Sequence, residues 1–299
     1  MKRWIIGILT GCLALILATG AMAGNATHKV YFIVGQNSYN ADGQIKQMDA
    51  ATFIEHDRTY VPVRFLGYAL GVSSEGIKWQ DPSAILAMGD TTITLTMGSR
   101  QYQVNGQTQS MDVTPINRNG RIYLPARFVA EAFGYEVGWD NVKRAVLIGP
   151  KGELPSLPVI DITGQGEPIA GKPWANYFDG KGTVVNKDIS DLNTQSFKIH
   201  DMIVHGVTVT RDEIIVTIEG KKSTTGIRVY MYENDNLLRA RDNYTTYDKG
   251  GVHDFKYPVL KVTDELVRNL PPANISKMKY IFLKWVDTIL VINNPLYKG

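Results

Sequence analysis

The sequence predicts an α+β tandem repeat domain followed by a mainly β domain. The first part reads as two ββαββ units, each an antiparallel sheet around a short helix, and the second as a β-sandwich. Three observations carry this. RTYVPVRFLGYALG at 58–71 returns without a gap as RIYLPARFVAEAFG at 121–134, 63 positions on. A proline- and glycine-rich stretch occupies 150–173. Beyond it, 174–299 is filled by strand-like runs broken by turn residues.

The chain opens MKRWIIGILTGCLALILATGAMAGNA. A basic Lys2-Arg3 pair, an apolar run from Trp4 to about Ala18 and the small-residue site Ala21-Met22-Ala23 are the layout of a secretory signal peptide over 1–23, cleaved after Ala23. Leu9-Thr10-Gly11-Cys12 resembles a lipobox, but the apolar run continues past Cys12. The run is also shorter than the ~20 residues of a membrane-spanning helix, so no transmembrane span is expected in the mature chain. Cys12 is the only cysteine, which leaves neither disulfides nor thiolate metal sites after cleavage. The net charge is +3, and without Lys2 and Arg3 it falls to about +1. Such a balance gives no concentrated basic face for nucleic acid. The expected location is secreted or envelope-associated, with a wall polymer or envelope protein as partner.

Within the first domain, 28–150, the same offset pairs Gly35 with Gly98, Tyr39 with Tyr102, Gly43 with Gly106 and Met48-Asp49 with Met111-Asp112. The copies therefore run over 28–89 and 90–149. Thr92–Met97 alternates as a half-buried strand does. Asn105-Gly106, echoed by Asp42-Gly43, is a hairpin turn whose residues need positive φ. Pro62 and Pro125 start a helix, and Phe65, Leu66, Ala69 and Leu70, or Phe128, Val129, Ala132 and Phe133, fall on one face. Gly71 and Gly134 stop it. A second hairpin follows, through Trp79 in copy one and Trp139 in copy two, with three extra residues in copy one. Tyr60, Pro62, Arg64, Phe65, Gly71 and Trp79, with Tyr123, Pro125, Arg127, Phe128, Gly134 and Trp139, read as structural positions. The arginines are expected to pack their stems on the sheet and pair with an acid or a carbonyl, and the tryptophans to pack in the core.

This pattern, R-x-Y-(V/L)-P-x-R-F with A-x-G at the helix end and a following Trp, resembles the copper amine oxidase N-terminal-like domain, or stalk domain, over about 28–150. The resemblance implies secreted or envelope-associated proteins, often of Gram-positive-type bacteria, and a non-catalytic appendage. The oxidase catalytic domain needs T-x-x-N-Y-(D/E) and an H-x-H pair. Asn243-Tyr244 is present here, but Ala240 and Thr245 stand at the other required positions and no H-x-H occurs. No amine oxidase and no cofactor are expected.

In 174–299, strands are expected near 183–185, 196–199, 203–209, 213–219, 226–232, 255–259, 279–286 and 288–292, with a short helix capped by Thr263. Neither the five histidines nor the carboxylate pairs Asp188/Asp191 and Asp212/Glu213 form a ligand or catalytic spacing. Trp174, Tyr177 and Phe178 lie in one aromatic loop and Tyr244 and Tyr247 in another. Each loop either caps a sandwich end or presents rings to a ligand. The expected function is a non-catalytic protein whose stalk-type repeats anchor or present a β-rich binding domain. A carbohydrate-binding module or a hydrolase within 174–299 is the alternative. Mass spectrometry of the exported protein is expected to find Gly24 at its N-terminus; an acylated Cys12 there would instead make it a lipoprotein.

Overall fold

The computed structural model describes residues 26–178, 180–220, 227–233, 238–242, 245–248, 251–261 and 270–299. The expected signal peptide, Cys12, Tyr244 and the helix expected from Thr263 lie outside them, as does the side chain of Tyr247. The chain is mostly β, 50% strand and 12% helix, so helices are inserts between sheets rather than a layer of their own. None of the helices among the described residues is long and apolar enough to cross a membrane.

The doubled phrase does more than start a helix. Its first five residues, Arg58–Pro62 and Arg121–Pro125, are strands, and they pair with each other. The register joins Tyr60 to Pro125, Val61 to Leu124 and Pro62 to Tyr123. Exchanging the copies reproduces the same register, so a local two-fold passes through the Val61–Leu124 pair, and both residues are fully buried. Phe53–Glu55 and Ile116–Arg118 complete this four-stranded central sheet.

Each copy places five strands before its helix and two after it. The sheets cross the repeat boundary. The hairpin Ile77–Gln80 and Ser83–Met88, which ends copy one, joins Thr91–Thr96, Gln101–Val104 and Gln107–Ser110, which open copy two. By the same rule Glu136–Asp140 and Ala145–Gly149 return to Val30–Ile33, Ser38–Ala41 and Gln44–Gln47. This departs from two self-contained ββαββ units. A unit of this size buries little by itself. Exchanging hairpins instead gives one continuous apolar cluster, from Val30 and Phe32 through Leu66 and Leu95 to Val129 and Ile148.

The helices Val63–Ala69 and Ala126–Ala132 follow the sequence logic. Pro62 and Pro125 precede them as N-caps. Gly71 and Gly134 take φ of 91° and 85°, which only glycine adopts at no steric cost. Val72 N–H then donates to Gly67 O at 2.9 Å, and Tyr135 N–H to Ala130 O at 3.0 Å. The Gly71 and Gly134 N–H groups donate to Tyr68 O and Glu131 O, completing the same C-terminal motif in both copies.

The remaining strands form two six-stranded sheets. One contains Val159–Asp161, Ser196–Ile199, Met202–Val209, Glu213–Glu219, Val252–Pro258 and Thr245–Asp248. The other contains Glu167–Pro168, Thr183–Lys187, Thr288–Asn293, Met278–Trp285, Arg228–Glu233 and Leu238–Arg241. Phe197, Val204 and Val216 of the first share one buried cluster with Val229, Ile281 and Leu290 of the second. Buried Arg241 spans the two, donating to Pro258 O at 2.9 Å and Val259 O at 2.7 Å. The stretch expected as a linker supplies two edge strands, Val159–Asp161 and Glu167–Pro168. Asp188 and Asp191 begin the short helix Ile189–Thr194, where Asp188 N–H donates to the Asp191 carboxylate at 3.0 Å.

Lys143 joins the first half to the second. It sits in the turn between Glu136–Asp140 and Ala145–Gly149, and the Asp140 side chain accepts from the N–H groups of Val142 and Lys143 there. Its ammonium is buried and donates to Leu192 O at 2.6 Å, Gln195 O at 2.7 Å and His205 O. Burial lowers its pKa to about 8, with the nearby Asp140 carboxylate opposing the shift. Between about 8 and the ordinary lysine value of 10.5 the unfolded chain holds more protons than the folded one, so this group's contribution to stability rises with pH across that window. Lys143→Met is expected to abolish that rise. It also leaves three carbonyls without their donor, at a cost of about 2 kcal/mol. Denaturant unfolding of both proteins on either side of the window checks the two effects.

Candidate functional site

The exchange of hairpins builds two clefts related by the local two-fold. In one, Arg58 and Thr59 of copy one meet Pro125, Arg127 and Trp139 of copy two, around a cavity of about 290 Å3. In the other, Arg121 and Ile122 of copy two meet Pro62, Arg64 and Trp79 of copy one, around about 630 Å3. Arg58 and Arg121 are the same position in the two copies, as are Pro125 and Pro62, Arg127 and Arg64, and Trp139 and Trp79. Every cleft therefore needs both copies.

The local folding explains each side chain. Trp79 and Trp139 lie on Ile77–Gln80 and Glu136–Asp140, the outermost strands of their five-stranded sheets. Among the described residues no strand pairs beyond those edges, and the rings remain 47% and 38% exposed. The expectation that they fill the core is corrected accordingly. Among the described residues neither indole stacks on another ring or lies beneath a cation. Only the edge of Trp139 is held, its Nε1–H donating to Asn141 at 2.8 Å.

Two of the four arginines are held by carboxylates yet stay open to solvent. Arg121 contacts Asp49 through Nε at 3.2 Å and Nη2 at 3.1 Å, and Arg58 holds Asp112 through the same two groups. The repeated Met-Asp pair now has its reason: Met48 and Met111 are buried, while Asp49 and Asp112 each reach the arginine of the other copy. The Arg121 hydrogen bond holds the Asp49 carboxyl below the usual carboxylate range. Such exposed pairs add little stability, but a bidentate contact limits the orientations the guanidinium can take. Arg127 lies 3.8 Å from Glu131 on its own helix. Arg64 is exposed and has no hydrogen-bond or ion-pair partner among the described residues. The larger cleft is lined by Arg64, Lys78 and Arg121 against Asp49 alone, a net positive wall.

The other repeat positions are structural. Tyr60 and Tyr123 are buried beside Phe53 and Val113, with Tyr60 Oη donating to Thr114 O at 2.9 Å. Phe65 packs on Tyr39 and Phe128 on Tyr102, equivalent pairs with ring centroids 6.5 and 6.2 Å apart.

In 174–299 the aromatic loop turns inward. Trp174 and Phe178 are 6% and 5% exposed and pack against Phe282, with the Trp174 centroid at 4.7 Å; Phe178 also meets Tyr230. Neither ring face is offered to a ligand, and Tyr177 is the exposed member of the three. Ser196 Oγ lies 2.9 Å from His205 Nδ1, and His205 Nε2 lies 2.9 Å from Glu219. The residue types are those of a hydrolytic triad. Ser196 is only 2% exposed, however, on a strand flanked by its neighbours, so its hydroxyl faces no substrate. Among the described residues no group of three or more His, Cys, Asp or Glu could hold a metal.

Residues 21–79 and, overlapping them, 40–148 match the family model described as the copper amine oxidase N-terminal domain. In that family this is a non-catalytic stalk domain, and no catalytic domain of the oxidase is matched. No curated protein and no solved structure matches the chain. Acrylamide is expected to quench Trp79 and Trp139 strongly, the partly buried Trp285 less and Trp174 weakly, so Trp79→Phe with Trp139→Phe should markedly lower the quenchable emission. An unchanged quenching curve would place those two rings in the core.

Proposed function

We propose that this is a non-catalytic exported protein of the cell envelope. Its duplicated half, 28–150, is a strand-exchanged pair of stalk-type repeats that docks on a wall polymer. Residues 150–173 lead into a second domain, 174–299, a β-sandwich that the docked half holds at the envelope. The observation that carries this reading is the pair of equivalent clefts, each combining an open indole face with two guanidiniums. A core-packing motif has no need to leave a tryptophan half exposed beside an arginine twice over. The signal-peptide layout and the non-catalytic character of the matched family support the same reading. The sugar-binding alternative at Trp174 loses its stacking surface, since that ring is buried.

The test is co-sedimentation of the full mature chain with purified cell walls. Ring stacking contributes about 0.5–1.5 kcal/mol per contact, so Trp79→Ala with Trp139→Ala is expected to weaken retention about tenfold. Its unfolding midpoint should stay close to that of the parent protein. Retention equal to the parent's would remove the clefts from the function, and no retention of the parent would remove wall docking.

A further inference from the structure

Given the docking role, the chemistry of the clefts narrows the polymer. We propose that each cleft takes one segment of an acidic polysaccharide built from uronate residues, and that one protein therefore holds two such segments.

The indole supplies a flat apolar face of the kind on which the C–H face of a pyranose ring rests. The guanidiniums beside it supply planar forks that match a carboxylate in bidentate fashion. A uronate carries both complements on a single residue: the ring for Trp79 or Trp139 and the carboxylate for Arg64 or Arg127. Arg64 is the favoured contact in the larger cleft, because among the described residues no acid hydrogen-bonds or ion-pairs with it, and Asp49 reaches it only through space. Arg121 is engaged by Asp49 and aims only its remaining donors at the cleft. With Arg64, Lys78 and Arg121 facing Asp49, that cleft keeps positive charge available for an anion. The smaller cleft has Gly138 where the larger has Lys78, so it should bind the same residue more weakly. Its volume of about 290 Å3 sits at the low end of ligand pockets, roughly 300–1,000 Å3, which suits one sugar ring better than a folded peptide.

The two-fold decides the stoichiometry. A glycan strand has a direction, and a two-fold reverses it. One continuous strand cannot run through both clefts in the same sense, so each cleft takes its own segment. Long chains are then cross-bridged, and avidity adds to each weak site.

The experiment is calorimetric titration of the full mature chain with a short oligogalacturonate, the neutral oligogalactoside of the same length, poly-glutamate and a glycerol-phosphate oligomer. The oligogalacturonate is expected to bind with two sites per chain. Trp79→Ala is expected to weaken one of the two sites about tenfold and leave the other unchanged, and the double variant with Trp139→Ala to weaken both about tenfold. Arg64→Gln, a surface change that cannot unfold the core, should weaken the tighter site about fivefold to tenfold. Equal binding of poly-glutamate or of the neutral oligomer would overturn the proposal, as would a single site in the parent or oligogalacturonate binding left unchanged by loss of both tryptophans. If walls retain the protein in a Trp79- and Trp139-dependent way while oligogalacturonate does not bind, the uronate assignment falls and wall docking stands. Tight binding of the glycerol-phosphate oligomer alone would have the same consequence. If neither walls nor oligogalacturonate bind, both readings fall.

Discussion

The pairing of Arg58–Pro62 with Arg121–Pro125 is the interaction on which the first half depends. It places Val61 against Leu124 on a local two-fold, both fully buried, and it fixes where everything else in the copies must lie. The helices leave this sheet in opposite senses. The hairpins that follow them reach the opening strands of the other copy, and a chain of modest repeats becomes one core. Burial supplies the driving force, and the antiparallel register supplies the symmetry.

Symmetry then multiplies whatever sits at the seam. The arginine that begins each strand is brought beside the helix start and the tryptophan hairpin of the opposite copy. Its aspartate partner comes from a Met-Asp pair that buries the methionine and projects the acid. A single copy has every residue type the cleft needs, but it cannot assemble them. Assembly across the seam makes two clefts from one phrase, and Lys78 against Gly138 makes their charge unequal.

The second half works differently. Its rings and aliphatics are spent inside: Trp174 and Phe178 close one end around Phe282, and Arg241 ties the two sheets through backbone carbonyls. The Ser196–His205–Glu219 array shows why residue types alone do not make a catalytic centre. The three sit on adjacent strands and satisfy one another, and the serine has no open side. Lys143 joins this half to the first through three carbonyls, with the Asp140 carboxylate as the nearby opposite charge.

What the sequence determined by itself is what local sterics control. Pro62 and Pro125 suit the start of a helix, Gly71 and Gly134 its end, and Asn105-Gly106 a tight turn, because each residue's allowed φ is a local property. The strands of 174–299 were legible as strand-like runs broken by turn residues, and those at 196–199 and 213–219 occur where expected. The tertiary structure decided which strand meets which. That Arg-x-Tyr is a strand facing its own echo, that the hairpins exchange, and that Trp79 and Trp139 sit on open edges while Trp174 is buried all depend on long-range pairing. A tryptophan on an edge strand and one in a core follow the same local pattern. In the aromatic-rich loop, which read either as a cap or as a binding surface, Trp174 and Phe178 pack inside and Tyr177 stays exposed, whereas the phrase that read as scaffolding borders the clefts. Exposure is a property of the neighbours a residue acquires, and those neighbours come from the other end of the chain.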